Sequence, residues 1–184
     1  MKFLLFFFLI LLINSNSYAS IKNKILNNLK KINNISFEFK QKINEKEEVG
    51  KCTIKYPKKI YCLYEDKYNK ILVSDGISLV IKSEKNRQYY RYSLKSTSLN
   101  ILLNKKLLIE KINKIEGKLL NDKYYVFYLN TKNNSIKIFF EKNSLNLIGW
   151  QTEDIYQNLS ITFIYNLEIN KAINKNLFIL PEMH

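Results

Sequence analysis

Histidine is almost missing from this chain: its one His, His184, is the last residue. That removes the usual general base of a nucleophilic triad. No HExxH, CxxC, GxGxxG or P-loop spacing occurs. Two cysteines and a terminal His make too small a ligand set for a metal, and neither metal nor cofactor is expected. Acidic residues are scarce, 16 against 30 basic ones, and most fall at turns or strand ends. Glu153 and Asp154 are adjacent, so in a strand they point to opposite faces and cannot act as an acid pair. Asp75 in Ser-Asp-Gly reads as a turn residue. These absences argue against an enzyme. Glycine and proline are also rare, with four and two copies, so no flexible linker divides the chain and Asn must supply most turn conformations.

What is present begins with an export signal. Lys2 gives a short positive region, Phe3 to Ile13 is an unbroken apolar run, and Ser17-Tyr18-Ala19 sets small residues at a cleavage site. The pattern is that of a secretory signal peptide over residues 1–19, cleaved after Ala19, and the run is too short to span a bilayer. Residues 20–184 then form a single soluble domain with a proper core. Ser20 stands where a bacterial lipoprotein would carry its acylated Cys. No second apolar run is long enough for a membrane helix.

The formal charge is +14, almost entirely from Lys; Arg87 and Arg91 are the only arginines. The lysines are scattered rather than clustered, so no nucleic-acid partner is expected and a solvated Lys-rich surface is the simpler reading. Weak attraction to anionic lipid headgroups is compatible with it. Cys52 and Cys62 lie symmetrically about Pro57 in CTIKYPKKIYC. If Pro57-Lys58 turns a hairpin, the sulfurs face each other across it and a disulfide fits, provided the pair is the closer, non-hydrogen-bonded kind. Two buried free thiols fit the sequence as well.

Ile21, Ile25, Leu29 and Ile32 recur at helical spacing and predict an amphipathic helix. The period then falls to two. Phe37 and Phe39 share one face, and Cys52, Ile54 and Tyr56 alternate with Lys51, Thr53 and Lys55. Ile60, Cys62 and Tyr64 follow. Ser74-Asp75-Gly76 turns a hairpin between 71–73 and 79–81. Further strands are predicted at 88–92, 111–119, 123–130, 135–141, 146–154 and 159–168, about eleven in all. Short connections imply antiparallel pairing, and so long a sheet tends to curl. One segment interrupts the pattern: Thr97-Ser98 is set to cap an apolar helix carrying Leu99, Ile101, Leu102 and Leu103. Such a helix must be buried against the concave face of the sheet. The fold class is therefore mainly β, α+β.

In order along the chain, the helix leading into SFEFKQ, Gly50 with Tyr56-Pro57, ILVSDG (71–76), STSLNILL (96–103) and LIGWQTED (147–154) followed by LFILP resemble the LolA family of periplasmic outer-membrane lipoprotein carriers. The resemblance spans the mature chain. It implies an incomplete antiparallel β-barrel with an α-helical lid, whose apolar interior shields lipoprotein acyl chains. It further implies a monomer that takes lipoproteins from an inner-membrane ABC transporter and passes them to an outer-membrane acceptor. On that pattern Leu99, Leu102 and Leu103 belong to the lid and Trp150 to the cavity wall; Phe37, Phe39, Tyr56 and Tyr64 join them as apolar or aromatic wall residues. Trp150 equally suits a plain core position. Two departures stand out: Tyr56 replaces an Arg that often ties the family's lid to the barrel, and Ser98 replaces the Pro that opens the lid helix. No extra C-terminal strand is expected after Pro181. The alternative function is a lipid-sensing or protein-interaction half-barrel of the envelope without carrier activity.

Overall fold

The computed structural model describes residues 15–132, 134–153 and 158–183. The apolar run Phe3–Ile13, Asp154 and His184 lie outside the described residues. The first helix, α1 (Ser15–Lys31), runs through the expected cleavage site. Its stripe of Ile25, Leu26 and Leu29, extended by Ile32 just beyond it, is buried, as the 3.6-residue spacing requires. Among the described residues, no helix is long and apolar enough to cross a membrane.

Eleven strands follow: β1 (Asn34–Ile43), β2 (Lys46–Lys55), β3 (Lys59–Tyr64), β4 (Lys70–Ser74), β5 (Ser78–Ser83), β6 (Gln88–Ser93), β7 (Lys118–Leu120), β8 (Tyr124–Asn130), β9 (Ser135–Glu141), β10 (Leu147–Glu153) and β11 (Leu159–Ile169). They form one open sheet in the order β6-β5-β4-β3-β2-β1-β11-β10-β9-β8-β7, antiparallel throughout. Two meanders, β1–β6 and β7–β11, are thus joined by the β1–β11 pairing, and among the described residues the edges β6 and β7 stay unpaired. The chain passes from one edge to the other through α2 (Leu99–Leu103) and α3 (Lys105–Asn113). This crossing segment covers the inner face: Ile101, Leu102, Leu103, Leu108 and Ile112 are at most 1% exposed.

Two local expectations fail. Residues 111–119 do not form one strand. Lys105–Asn113 is helical and only Lys118–Leu120 pairs with β8. Leu108, Ile112 and Ile115 pack at helical spacing, and Asn104 caps the helix, its Oδ1 accepting from the Leu107 N–H at 3.3 Å. Nor do Thr97 and Ser98 cap α2. Ser98 already has helical backbone and makes no side-chain cap bond, while the Thr97 hydroxyl donates back to the Leu94 carbonyl at 2.9 Å. A 3-10 turn, Leu94–Ser96, launches the segment instead, and the Leu94 N–H donates to the Ile77 carbonyl at 2.8 Å.

Turn chemistry follows the composition. Five of the nine described non-glycine residues with positive φ are Asn, which visits the left-handed region more readily than most residues. Gly76, at φ 107°, serves the β4–β5 hairpin, where Asp75 Oδ1 accepts from the Ile77 and Ser78 N–H groups at 2.8 and 2.9 Å. Those bonds hold the Asp75 carboxyl below its ordinary value against the opposing effect of burial. On the outer face the C-terminal segment straps β3 to β6. The 3-10 turn Lys175–Phe178 packs against β3, and the carbonyls of Pro181 and Glu182 accept from Tyr89 and Lys82 at 3.3 and 3.2 Å.

Cys52 and Cys62 are cross-strand partners, 4.1 Å apart at Cα, and are joined as a disulfide. The separation is that of the closer, non-hydrogen-bonded pair. The link closes a ten-residue span, so reduction is expected to lower the free energy of unfolding by about 2–3 kcal/mol, read from denaturant midpoints with and without reductant. Gly50 is a second sensitive point, because the Phe39 ring lies over it. A Cβ there would come within 2.9 Å of that ring and collide with the Leu63 carbonyl. Gly50→Ala is expected to destabilise by about 1–3 kcal/mol in the same assay.

Candidate functional site

Alternation along each strand decides which side chains face the helices. On β1 these are Ile35, Phe37, Phe39 and Gln41; on β2, Ile54, Cys52 and Glu48; on β3, Ile60, Cys62 and Tyr64. Between this wall and the crossing segment lies a cavity of about 80 Å³. It is bordered by Phe39, Cys52, Cys62, Tyr64, Leu72, Leu99 and Trp150, with Gln41, Thr152 and Thr162 along one side.

Of the expected wall residues, Phe37, Phe39, Tyr64 and Trp150 meet in pairs. Trp150 meets Phe37 edge-on at 6.1 Å and Phe39 meets Tyr64 edge-on at 5.1 Å, the arrangement that aromatic quadrupoles favour. Leu102 and Leu103 are completely buried, while half-buried Leu99 is the α2 residue at the cavity. Tyr56 does not border it. Its ring packs at the margin of the core beneath the Lys105 ammonium, 5.6 Å from the ring centre. Burial pushes the Tyr56 and Tyr64 hydroxyls up from their ordinary values.

With Tyr56 where an Arg would tie the lid, other groups hold it. The Lys58 N–H donates to the Leu103 carbonyl at 2.8 Å. Ser74, fully buried, donates its hydroxyl to the Lys58 carbonyl and accepts from the Gly76 N–H, both at 3.1 Å. The SDG hairpin therefore braces the turn that holds the end of α2. Lys105, the first residue of α3, donates to the Ile32 carbonyl at 2.7 Å and ties the segment to the end of α1.

A carboxylate sits on the inner face as well. Glu48 is 8% exposed and pairs with Lys46 at 2.5 Å and with Lys70. Burial alone would raise its carboxyl, but hydrogen bonds from the two ammonium groups outweigh that and hold it below its ordinary value. Lys70 also lies 3.8 Å over the Tyr64 ring. Sequence reasoning passes over Glu48, Lys105 and Ser74 as site residues. Only the parity of Glu48 with Gly50 and Cys52 signals that it points inward. Among the described residues, no group of three or more potential ligands could hold a metal ion. The arrangement can shield apolar groups and hydrogen-bond polar ones.

The fold has solved counterparts at low sequence identity. An uncharacterized conserved protein from Thermus thermophilus superposes with a TM-score of 0.51 at 6% identity, over 89% of this chain and 94% of that one. A DUF1329 family protein from Desulfovibrio piger ATCC 29098 gives 0.47 at 9% identity, over 88% and 97%. A LolA superfamily protein from Nitrosomonas europaea gives 0.46 at 8% identity, over 86% and 97%. Among curated proteins none matches in sequence. The sequence pattern of the family described as Outer membrane lipoprotein carrier protein LolA runs through residues 30–180, from the end of α1 across the crossing helices to the C-terminal segment, and the chain accordingly belongs to the LolA family.

Proposed function

We propose that this protein is a periplasmic carrier that shields the acyl chains of lipoproteins between an inner-membrane ABC transporter and an outer-membrane acceptor. The observation that carries the reading is the lid: a five-residue apolar helix over an apolar wall, tied at its end by one backbone hydrogen bond from Lys58. Family membership supports it. A leader over residues 1–19 with cleavage after Ala19 and a monomeric state belong to the same reading.

Magnitudes make the lid workable. The cavity of about 80 Å³ is far below the roughly 300–1,000 Å³ of ligand pockets, so acyl chains enter only when the lid moves. Exposing Ile101, Leu102 and Leu103 fully would cost about 5–9 kcal/mol. One chain of roughly fifteen methylenes gains about 12 kcal/mol on leaving water. A single chain therefore offsets opening, and an empty carrier closes again.

A second reading keeps the fold and makes the protein a binding module for another protein. Its support is an aromatic strip on the outer face. Phe163 stacks on Phe139 at 5.9 Å, approaches Tyr124 at 6.2 Å, and stays 42% exposed. The two readings differ in cargo.

The purified protein is expected to retain a synthetic diacylated lipopeptide through size-exclusion chromatography. Leu99→Glu, at a half-buried position that tolerates the change, should weaken retention by at least about tenfold, or 1.4 kcal/mol. If the unmodified chain binds no acylated lipopeptide, the carrier reading is wrong and the binding-module reading takes its place. Leu102→Glu, at a fully buried lid position, is expected to abolish lipoprotein acceptance.

A further inference from the structure

The inner face changes character at one level of the sheet. On β1 it reads Ile35, Phe37, Phe39 and then Gln41. Gln41 pairs in register with Glu48 on β2 and with Thr162 on β11, and Trp150 on β10 pairs with Thr162. One step further, Thr152 pairs with Ser160. Several strands thus turn polar together, although each is coded separately. The belt is not simply the wet rim of the barrel, because Thr162 is 2% exposed and Glu48 8%.

The belt is wired internally with donor capacity to spare. Gln41 Nε2 donates to the Ser160 and Thr162 hydroxyls at 2.9 and 3.1 Å, and the Tyr64 hydroxyl donates to Gln41 Oε1 at 3.4 Å. Ser160 and Thr162 accept these bonds, and among the described residues nothing accepts their own O–H hydrogens. Gln41 and Thr162 border the cavity itself, beside Phe39 and Trp150. Glu48 carries two ammonium partners, Lys46 and Lys70, so the local charge favours a hydrogen-bond acceptor over a cationic head. In the other direction the wall is apolar down to Ile35. The step from Gln41 to Ile35 covers about 20 Å, long enough for an extended fatty-acyl chain.

We propose that this belt is a binding site for the ester carbonyls of a diacylglyceryl group, which fixes the ligand's direction: esters at the Ser160 and Thr162 hydroxyls, which Gln41 orients, and chain ends towards Ile35 beneath the lid. The inference rests on the carrier reading and adds polarity to it. A neutral ester offers the acceptors that free hydroxyl hydrogens lack, and its chains continue into the apolar wall without a bend.

The protein's only tryptophan, Trp150, lies at the junction of the two halves and reports on direction. The probe is a synthetic S-diacylglyceryl-cysteine lipopeptide carrying a nitroxide either near the ester or near the terminal methyl of one chain. Quenching of Trp150 is expected to be clearly stronger for the label near the ester; equal or reversed quenching overturns the proposal and leaves the carrier reading standing. A diether analogue, which lacks the carbonyls, should bind about tenfold more weakly than the diester, and the difference should vanish in Ser160→Ala/Thr162→Val. Equal affinity for ester and ether in the unmodified protein would also overturn it. Binding of neither analogue removes the carrier reading and this site together.

Discussion

The pairing of β1 with β11 is the constraint on which the rest depends. Each meander can form from local hairpins, but only this long-range ladder makes one wall of them. It is reinforced where α1 ends. Asn170 Oδ1 accepts from the Asn33 N–H at 2.7 Å, its side chain donates to the Lys31 carbonyl at 2.9 Å, and its N–H donates to the Asn34 carbonyl at 3.0 Å. One residue thereby fixes the end of a helix, the start of the first strand and the end of the last. A slip of one residue here would turn the apolar rungs of β11 outward and break the alignment of Gln41 with Thr162.

The lid is held by groups that mostly serve other purposes. Lys58 belongs to the hairpin that brings Cys52 opposite Cys62, Ser74 to the hairpin beside it, and Lys105 to the start of the next helix. None provides a strong side-chain ion pair between lid and barrel. The contacts are one backbone hydrogen bond, ammonium-to-carbonyl bonds and apolar packing, each modest in water. Such a cover owes most of its hold to the burial of its own apolar side chains, Ile101, Leu102 and Leu103.

Legibility follows the physics of each element. The sheet is readable because one face is apolar and the other is Lys-rich, so alternation in 34–43 and 46–55 survives in the residue order. The Cys pair is readable as an alternative because its spacing is symmetric about a turn. The lid is readable as a run of apolar residues with no polar face. The 111–119 segment misleads because Ile112 and Ile115, three apart, suit a helix while the Lys and Asn between them mimic alternation. Its cap, Asn104, lies well upstream of the apparent strand. The tie from Lys58 to Leu103 uses only backbone atoms, which leave no mark on residue identity. Glu48 is hidden because a carboxylate in the charged run 45–48 looks like ordinary surface until the register shows it pointing inward, paired with Lys46 and Lys70.

The crossing segment between the two unpaired edges is a strip under mechanical constraint. It is anchored at one end where Leu94 bonds to Ile77, and at the other where Leu108 and Ile112 sink into the core. A strip fastened at both ends cannot swing like a door; it leaves the wall by bowing. Slack for the bow must come from the short connections at Thr97–Ser98 and Asn104, or from the edges themselves drawing together. The volume enclosed beneath the segment and the width of the sheet's mouth are then geared to each other through a single stretch of chain.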